Sequence, residues 1–210
     1  MARQLPAHLS YKSALALLPS PNITVPIEAV RRAHDKNFAR WPPHINLLYP
    51  FLASPTEVAE HGAEPQPHPK QDIHERIEKA VSNIQPFHVS LSVESPGTFH
   101  HGPKSKTVWL GPTTQSIQTL QGALQAEFAE CNADQRPFKP HLSVGQARNE
   151  HGVGVVAEDL RKSMSDYLAG HDECTTLEWY IDKVFVLERK GYKDRFKVVG
   201  AIKLGMQSHP

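Results

Sequence analysis

Two hydrophobic periods alternate along this chain, and together they outline its elements. Ser13-Ala14-Leu15-Ala16-Leu17-Leu18 is a short, almost unbroken apolar run stopped by Pro19-Ser20-Pro21, the pattern of a buried strand ending in a turn. Pro26 at a first-turn position then opens a helix running to His34, with Ile27, Val30 and His34 on one face. Gln71 to Ile84 recovers the helical period through Ile73, Ile77, Ala80, Val81 and Ile84. Phe87 to Val93 alternates strictly, as a half-buried strand does, and ends at Pro96-Gly97. Thr107 to Leu110 is the next strand, stopped by Gly111-Pro112, and His100 to Lys106 reads as the loop of a hairpin between the two. The clearest helix is Ser116 to Cys131, with Ile117, Leu120, Leu124 and Phe128 on one stripe. A further helix covers Val155 to Leu168 and stops at Gly170. Thr175 to Leu187 is strand-like, and with Phe196 to Leu204 it forms a closing hairpin.

The order strand, helix, strand, helix, hairpin, helix, strand, helix, hairpin is a weak internal duplication. It predicts an α+β fold in which two antiparallel-rich sheets face a central cleft, with helices outside and a pseudo-twofold relating the halves. One bilobal domain spans residues 1–210. Ala53 to Lys70, rich in Pro, Glu, His and Gln and without apolar period, reads as a flexible insertion.

Composition narrows the function classes. The 210 residues are 39% hydrophobic and 21% charged, and no stretch approaches the ~18 apolar residues of a membrane span. The N-terminus lacks the long apolar run of a secretory signal, so an intracellular protein, cytoplasmic or nuclear, is expected. Cys131 and Cys174 stand apart without metal-ligand spacing. A net charge of +1 argues against coating long duplex nucleic acid and suits a protein that grips one nucleotide or one RNA end. A monomer is expected.

Against that background two short stretches share a grammar. Pro43-His44-Ile45-Asn46-Leu47 and Pro140-His141-Leu142-Ser143-Val144 each run proline, histidine, apolar, small polar, apolar. Alternation along a strand puts His44 and Asn46 on one face and Ile45 and Leu47 on the other, with the polar group about 7 Å beyond the imidazole. His141 and Ser143 are displayed likewise. Imidazole exchanges a proton near neutrality, so two of them flanking a phosphodiester can divide general-base and general-acid work. The Asn46 amide and the Ser143 hydroxyl can donate to non-bridging phosphate oxygens. With no Asp/Glu cluster at ligand spacing nearby, a mechanism with no metal and no cofactor is the simplest expectation.

These paired motifs resemble the signature of the two-histidine (2H) phosphoesterase superfamily, which includes the RNA 2′,3′-cyclic phosphodiesterases once named 2′–5′ RNA ligases. The resemblance extends through Pro96-Gly97-Thr98-Phe99, Val108 to Gly111, Phe138 to Gly145 and Val184 to Glu188. It implies a bilobal α+β fold with a cleft between the sheets, and metal-independent attack on cyclic phosphates of RNA ends or small nucleotides, opening them to 2′-phosphates. It further implies the first histidine as acid and the second as base, an order the residues themselves leave open. The family carries Thr or Ser two residues after each histidine. Asn46 departs from that pattern, keeping a donor but losing the compact hydroxyl.

A nucleotide end also needs partners for its base and neighbouring phosphates. Phe99 and Tyr192, each in or beside a polar hairpin loop, are the candidate stacking residues, and Arg136 and Lys139 the candidate phosphate partners. Three alternatives share the motif. One is a phosphodiesterase on a 2′–5′ linkage, on a small-RNA tail or on ADP-ribose cyclic phosphate. Another is a module that binds phosphorylated RNA ends without turnover. The third, ATP-dependent RNA joining, lacks a P-loop or an evident lysine nucleophile motif.

Overall fold

The computed structural model describes residues 4–58, 66–167 and 176–205. In chain order the elements are β1 (Leu9–Ser10), β2 (Ser13–Leu17), α1 (Pro21–His34), β3 (Ile45–Leu48), β4 (Phe51–Leu52), β5 (Thr56–Val58), β6 (Pro67–Pro69), α2 (Gln71–Val81) and β7 (Phe87–Ser92). They continue with β8 (Gly97–Gly102), β9 (Ser105–Leu110), α3 (Ser116–Glu127), β10 (Leu142–Ala147), α4 (Glu150–Tyr167), β11 (Thr176–Ile181), β12 (Lys183–Glu188) and β13 (Lys197–Lys203).

All strand pairs are antiparallel. The larger sheets have the orders β13-β12-β2-β3 and β10-β9-β8, and β11 pairs with β7. The duplication is visible in these orders. In the first half β2, α1 and β3 run strand, helix, neighbouring antiparallel strand; in the second, β9, α3 and β10 do the same. The motif strand is the edge in both three-strand sets, β12-β2-β3 and β8-β9-β10.

The halves are not separate bodies. Ile45 and Leu47 from β3, Leu142 and Val144 from β10, Leu15 and Leu17 from β2 and the α3 stripe Ile117, Leu120, Leu124 and Phe128 all belong to one buried cluster. The helices are exchanged across it: α1 packs against β10 and α4, while α3 packs against β3. Phe128 meets Phe51 edge to face at 5.2 Å, and the Arg76 guanidinium of α2 lies 4.1 Å from the Phe128 ring while pairing with Glu127 and Glu130. Burial pushes the Cys131 thiol up to about 12, so it stays an unreactive packing group. Among the described residues, no helix is long and apolar enough to cross a membrane.

Several boundaries differ from those read off the sequence, each for a local reason. Helix α1 begins at Pro21, five residues before Pro26, because Pro21 already occupies a first-turn position and the Ser20 carbonyl accepts from the amides of Ile23 and Thr24. His100 and His101 lie in β8, and the turn shrinks to Pro103-Lys104; an exposed strand of polar residues carries little apolar signal. Helix α4 starts at Glu150, its glycines Gly152 and Gly154 having hidden the first turns, with Asn149 Oδ1 accepting from the Gly152 amide at 2.9 Å. The long strand-like run is two strands, β11 and β12, separated at Asp182 and lying in different sheets. Within 53–70 a small exposed ribbon of β5 and β6 forms, and Pro69 abuts Gly200 of β13. Leu168, Gly170, Cys174 and Thr175 lie outside the described residues.

Phe128→Ala removes a fully buried ring, its contact with Phe51 and its cation partner; it is expected to cost about 3–5 kcal/mol. Urea unfolding measures this, and a loss below ~1 kcal/mol would mean the exchanged-helix core does not hold the halves together.

Candidate active site

Both motif histidines sit one residue ahead of their strands and are built alike. Nδ1 of His44 donates to the Pro42 carbonyl at 2.8 Å, and Nδ1 of His141 donates to the Lys139 carbonyl at 2.8 Å. A carbonyl only accepts, so each neutral imidazole carries its proton on Nδ1 and leaves Nε2 as the free base. The preceding prolines, Pro43 and Pro140, favour extended backbone in the residues that supply those carbonyls.

A second shared device follows the small polar residue. Asn46 pairs with Ala16 and Leu48 with Leu15, which makes Leu47 an extra residue. Ser143 pairs with Trp109 and Gly145 with Val108, which makes Val144 the extra one. A bulge directly after Asn46 and Ser143 bends each strand and sharpens its twist, fixing the direction in which histidine and polar group are presented. Ile45, Leu47, Leu142 and Val144 are buried in the core, while His44, Asn46, His141 and Ser143 are half-buried on the opposite face.

The environments of the two imidazoles then diverge. Trp41 stacks on His44 at 4.3 Å and 15°, and is itself held by Phe196 at 3.7 Å and by the edge of Tyr49. His141 instead meets the Phe99 ring edge-on at 4.8 Å, with Trp109 at 6.2 Å behind it. Trp109 can lie flat there because Gly97 and Gly111 leave room: a Cβ on Gly97 would stand 2.3 Å from the indole, and one on Gly111 2.7 Å.

Burial lowers both imidazoles below the ordinary value. For His44 the fall is to about 3, burial being the main cause, opposed by the Pro42 hydrogen bond and reinforced by the charges of Arg31 and His141. That His141 acts on His44 at all reflects how near the motifs have come. His141 is lowered by burial first, with Arg136 and Lys139 adding to it against the Lys139 carbonyl bond. Arg31 is 2% exposed and pairs with Asp35 at 2.8 Å, whose other oxygen accepts from the Asn37 amide and from Gln146 of β10. A fixed positive charge is thereby buried between α1 and β10. Among the described residues, Asn46 Oδ1, Arg31 Nη1 and Trp109 Nε1 are buried without a hydrogen-bond partner. No three His, Cys, Asp or Glu side chains converge as a metal-binding group among the same residues.

The other candidates separate. Phe99 lies beside His141, and the Lys139 ammonium lies 4.6 Å from the Trp109 ring and 5.8 Å from that of Phe99. Arg136 is occupied by Asp134, through bonds of 2.8 and 2.6 Å, yet its charge still reaches His141. Tyr192 is 60% exposed in the β12–β13 connection, beside Lys12 and Arg189 and toward the Ser13 end of β2, away from the end that meets His44. Trp41 and Arg31 carry no motif signal. An aromatic three residues before histidine occurs in both stretches, but the second, Phe138, packs against the core. Arg31 read simply as part of a helix.

The arrangement is two free imidazole nitrogens and two small polar groups on one face, with a neutral histidine on each side: a set able to move protons at either end of a phosphoester. Known proteins resemble this chain in sequence and in fold. Residues 19–193 match the 2′-5′ RNA ligase superfamily. A protein of Oceanobacillus iheyensis provisionally named a phosphoesterase is 24% identical over 187 residues, covering 85% of this chain and 99% of its own. One of Staphylococcus epidermidis, named in the same way, is 22% identical over 193 residues, covering 91% and 98%. The fold is similar to that of E. coli LigT, with a TM-score of 0.53 at 12% identity over 95% of this chain and 100% of that one. It is also similar to Thermus thermophilus TT0787, at 0.51 and 16% over 94% and 100%. The chain belongs to the 2′-5′ RNA ligase superfamily, the two-histidine phosphoesterases.

Proposed function

We propose that this phosphoesterase hydrolyses 2′,3′-cyclic phosphates of RNA ends or nucleotides to 2′-phosphates, with His44 and His141 as the proton-transfer pair. The observation that carries the reading is the matched construction of the two imidazoles, each fixed through Nδ1 so that Nε2 is free, with Asn46 and Ser143 beside them. E. coli LigT has been solved with 3′-AMP and with phosphate, which supports a nucleotide phosphoester as ligand here.

In the proposed reaction one neutral imidazole takes a proton from water as its oxygen bonds to phosphorus. The P–O3′ bond breaks, and the second imidazole, protonated, gives its proton to O3′. One water is consumed, and the two histidines end with their protonation states exchanged. Asn46 and Ser143 donate to the non-bridging oxygens, where negative charge grows. Both imidazoles are neutral in the free protein near pH 7, so the anionic phosphate must draw a proton onto one of them as it binds. Whichever imidazole takes that proton is the acid, and the other, neutral, is the base; the family resemblance implies His44 as the acid and His141 as the base.

His44→Ala and His141→Ala are each expected to reduce turnover of 2′,3′-cyclic AMP on the order of a hundredfold or more, with the far-UV spectrum unchanged. Stoichiometric binding of a cyclic end with no ring opening by the wild type would replace hydrolysis with simple recognition. Ser143→Ala, removing one donor to the developing charge, is expected to lower kcat by roughly tenfold to a hundredfold more than it changes KM.

The pH dependence has a definite sign. The free enzyme needs one neutral and one charged imidazole, and both values lie below 6.5, so kcat/KM is expected to fall as pH rises above ~6.5 and again toward the lowered value of His44 near 3. An optimum of kcat/KM at pH 8 or above would exclude this pair as the acid and base.

A further inference from the structure

The Arg31–Asp35 pair is built in a way that stability does not explain. Both side chains are buried, at 2% and 4% exposure, and the hydration lost by two buried charges commonly outweighs their attraction. The pairing is also incomplete. Arg31 directs Nε and Nη2 at the same oxygen, Asp35 Oδ2, at 2.9 and 2.8 Å, and its Nη1 is buried without a partner. A guanidinium that only closed an ion pair would engage both carboxylate oxygens side by side. Here Oδ1 is left to accept from the Asn37 amide at 2.8 Å and from the Gln146 side chain at 3.5 Å.

Those two bonds lead to the two motifs. Asp35 closes α1, and the end of that helix lies directly on β10: a Cβ on Gly145, just past the bulge, would stand 2.9 Å from Cβ of His34. Gln146 follows Gly145 in the strand that starts one residue after His141. In the other direction the chain folds back on itself. The Phe38 amide donates to the Asp35 carbonyl at 2.9 Å, and the amides of Arg40 and Trp41 both donate to the Asn37 carbonyl, at 2.9 and 3.0 Å. The Arg40 guanidinium donates to the Asn37 side chain, and the Arg40 carbonyl accepts from the Phe196 amide at 2.8 Å. Trp41 thereby comes to stack on Phe196 and on His44. Holding the Asn37 amide holds the start of the turn whose end is the indole over His44. The bond to the Pro42 carbonyl decides which imidazole nitrogen faces the cleft but leaves the ring free to pivot about it, and the flat indole takes that freedom away.

The geometry points to Asp35 as a positioning residue for the reaction. Through Asn37 it holds the turn that lays Trp41 on His44, through Gln146 it ties that turn to the strand of the second motif, and Arg31 keeps its carboxylate in place. The inference rests on the phosphoesterase reading above and adds to it a residue that touches no substrate yet sets how His44 faces His141. Proton transfer is sensitive to small misplacements of the reacting groups, so loss of this hold lowers kcat more than it changes KM.

The test removes both charges together, because Asp35→Ala alone would strand the buried Arg31 cation. Arg31→Met with Asp35→Leu puts apolar side chains in the place of the pair and takes the acceptor away. Arg31→Met with Asp35→Asn gives the Asn37 amide an uncharged acceptor again. Steady-state kinetics with 2′,3′-cyclic AMP is expected to show kcat roughly tenfold lower and KM little changed in the leucine variant, and most of that kcat recovered in the asparagine variant. Proton NMR of the His44 ring, identified by comparison with His44→Ala, reads the placement without turnover. The stacked indole displaces the wild-type ring signals upfield; this displacement is expected to shrink in the leucine variant, to persist in the asparagine variant and to vanish in Trp41→Leu. Wild-type kcat with wild-type ring signals in a folded leucine variant overturns the inference. Should that variant not fold, Trp41→Leu carries the test: a loss mainly in kcat upholds the arrangement, and an undiminished kcat overturns it. A wild type that opens no cyclic phosphate, with ring signals that respond as expected, removes the reaction and keeps the placement. Normal turnover with ring signals indifferent to every variant keeps the reaction and overturns the placement.

Discussion

The structure depends on one constraint: the two motif strands turn their apolar faces into a single core. Ile45 and Leu47 on one side and Leu142 and Val144 on the other are buried together, and the helix that precedes each motif strand packs on the motif strand of the other half. Because a packed interior resists small displacements, the separation and tilt of the two strands are set by that core and not by the cleft. Whatever stands on the opposite face is positioned as a consequence.

That opposite face carries two devices twice. A histidine donates Nδ1–H to the carbonyl two residues back, and a bulge follows the next polar side chain. Each device is local and needs only a few residues, which is how it survives in two halves that otherwise differ. The surroundings differ more: an indole stacks on His44, whereas a phenyl edge meets His141. Desolvation therefore acts unequally, and His44 is driven to about 3. Arg31 deepens the asymmetry, a buried cation whose Asp35 partner also reaches β10. The same exchange of helices that fixes the strands thus carries a charge toward one imidazole.

Much of this was legible in the chain itself. The α3 stripe Ile117, Leu120, Leu124 and Phe128 is fully buried, as a 3.6-residue period requires, and Phe87 to Ser92 alternates as a half-buried strand does. Boundaries were less legible where polarity or glycine masks the period. His100 and His101 belong to an exposed strand, Gly152 and Gly154 lie inside a helix, and one unbroken β-rich run divides at Asp182 between two sheets. In each case pairing and packing outweighed local preference.

At the candidate site the division is sharper. His44, Asn46, His141 and Ser143 could be selected from the sequence alone, because a strand's two-residue period states which side chains share a face, and proline states that the approach is extended. The aromatic wall around His44, the charge of Arg31 behind it and the link from Asp35 to Gln146 could not, since their members lie far apart in the chain and come together only through sheet register and helix exchange. Local periodicity determined which groups are presented. The shared core decided how far apart they stand, how dry each one is and what lies beside them, because those quantities belong to the packing of distant segments and to no single stretch of sequence.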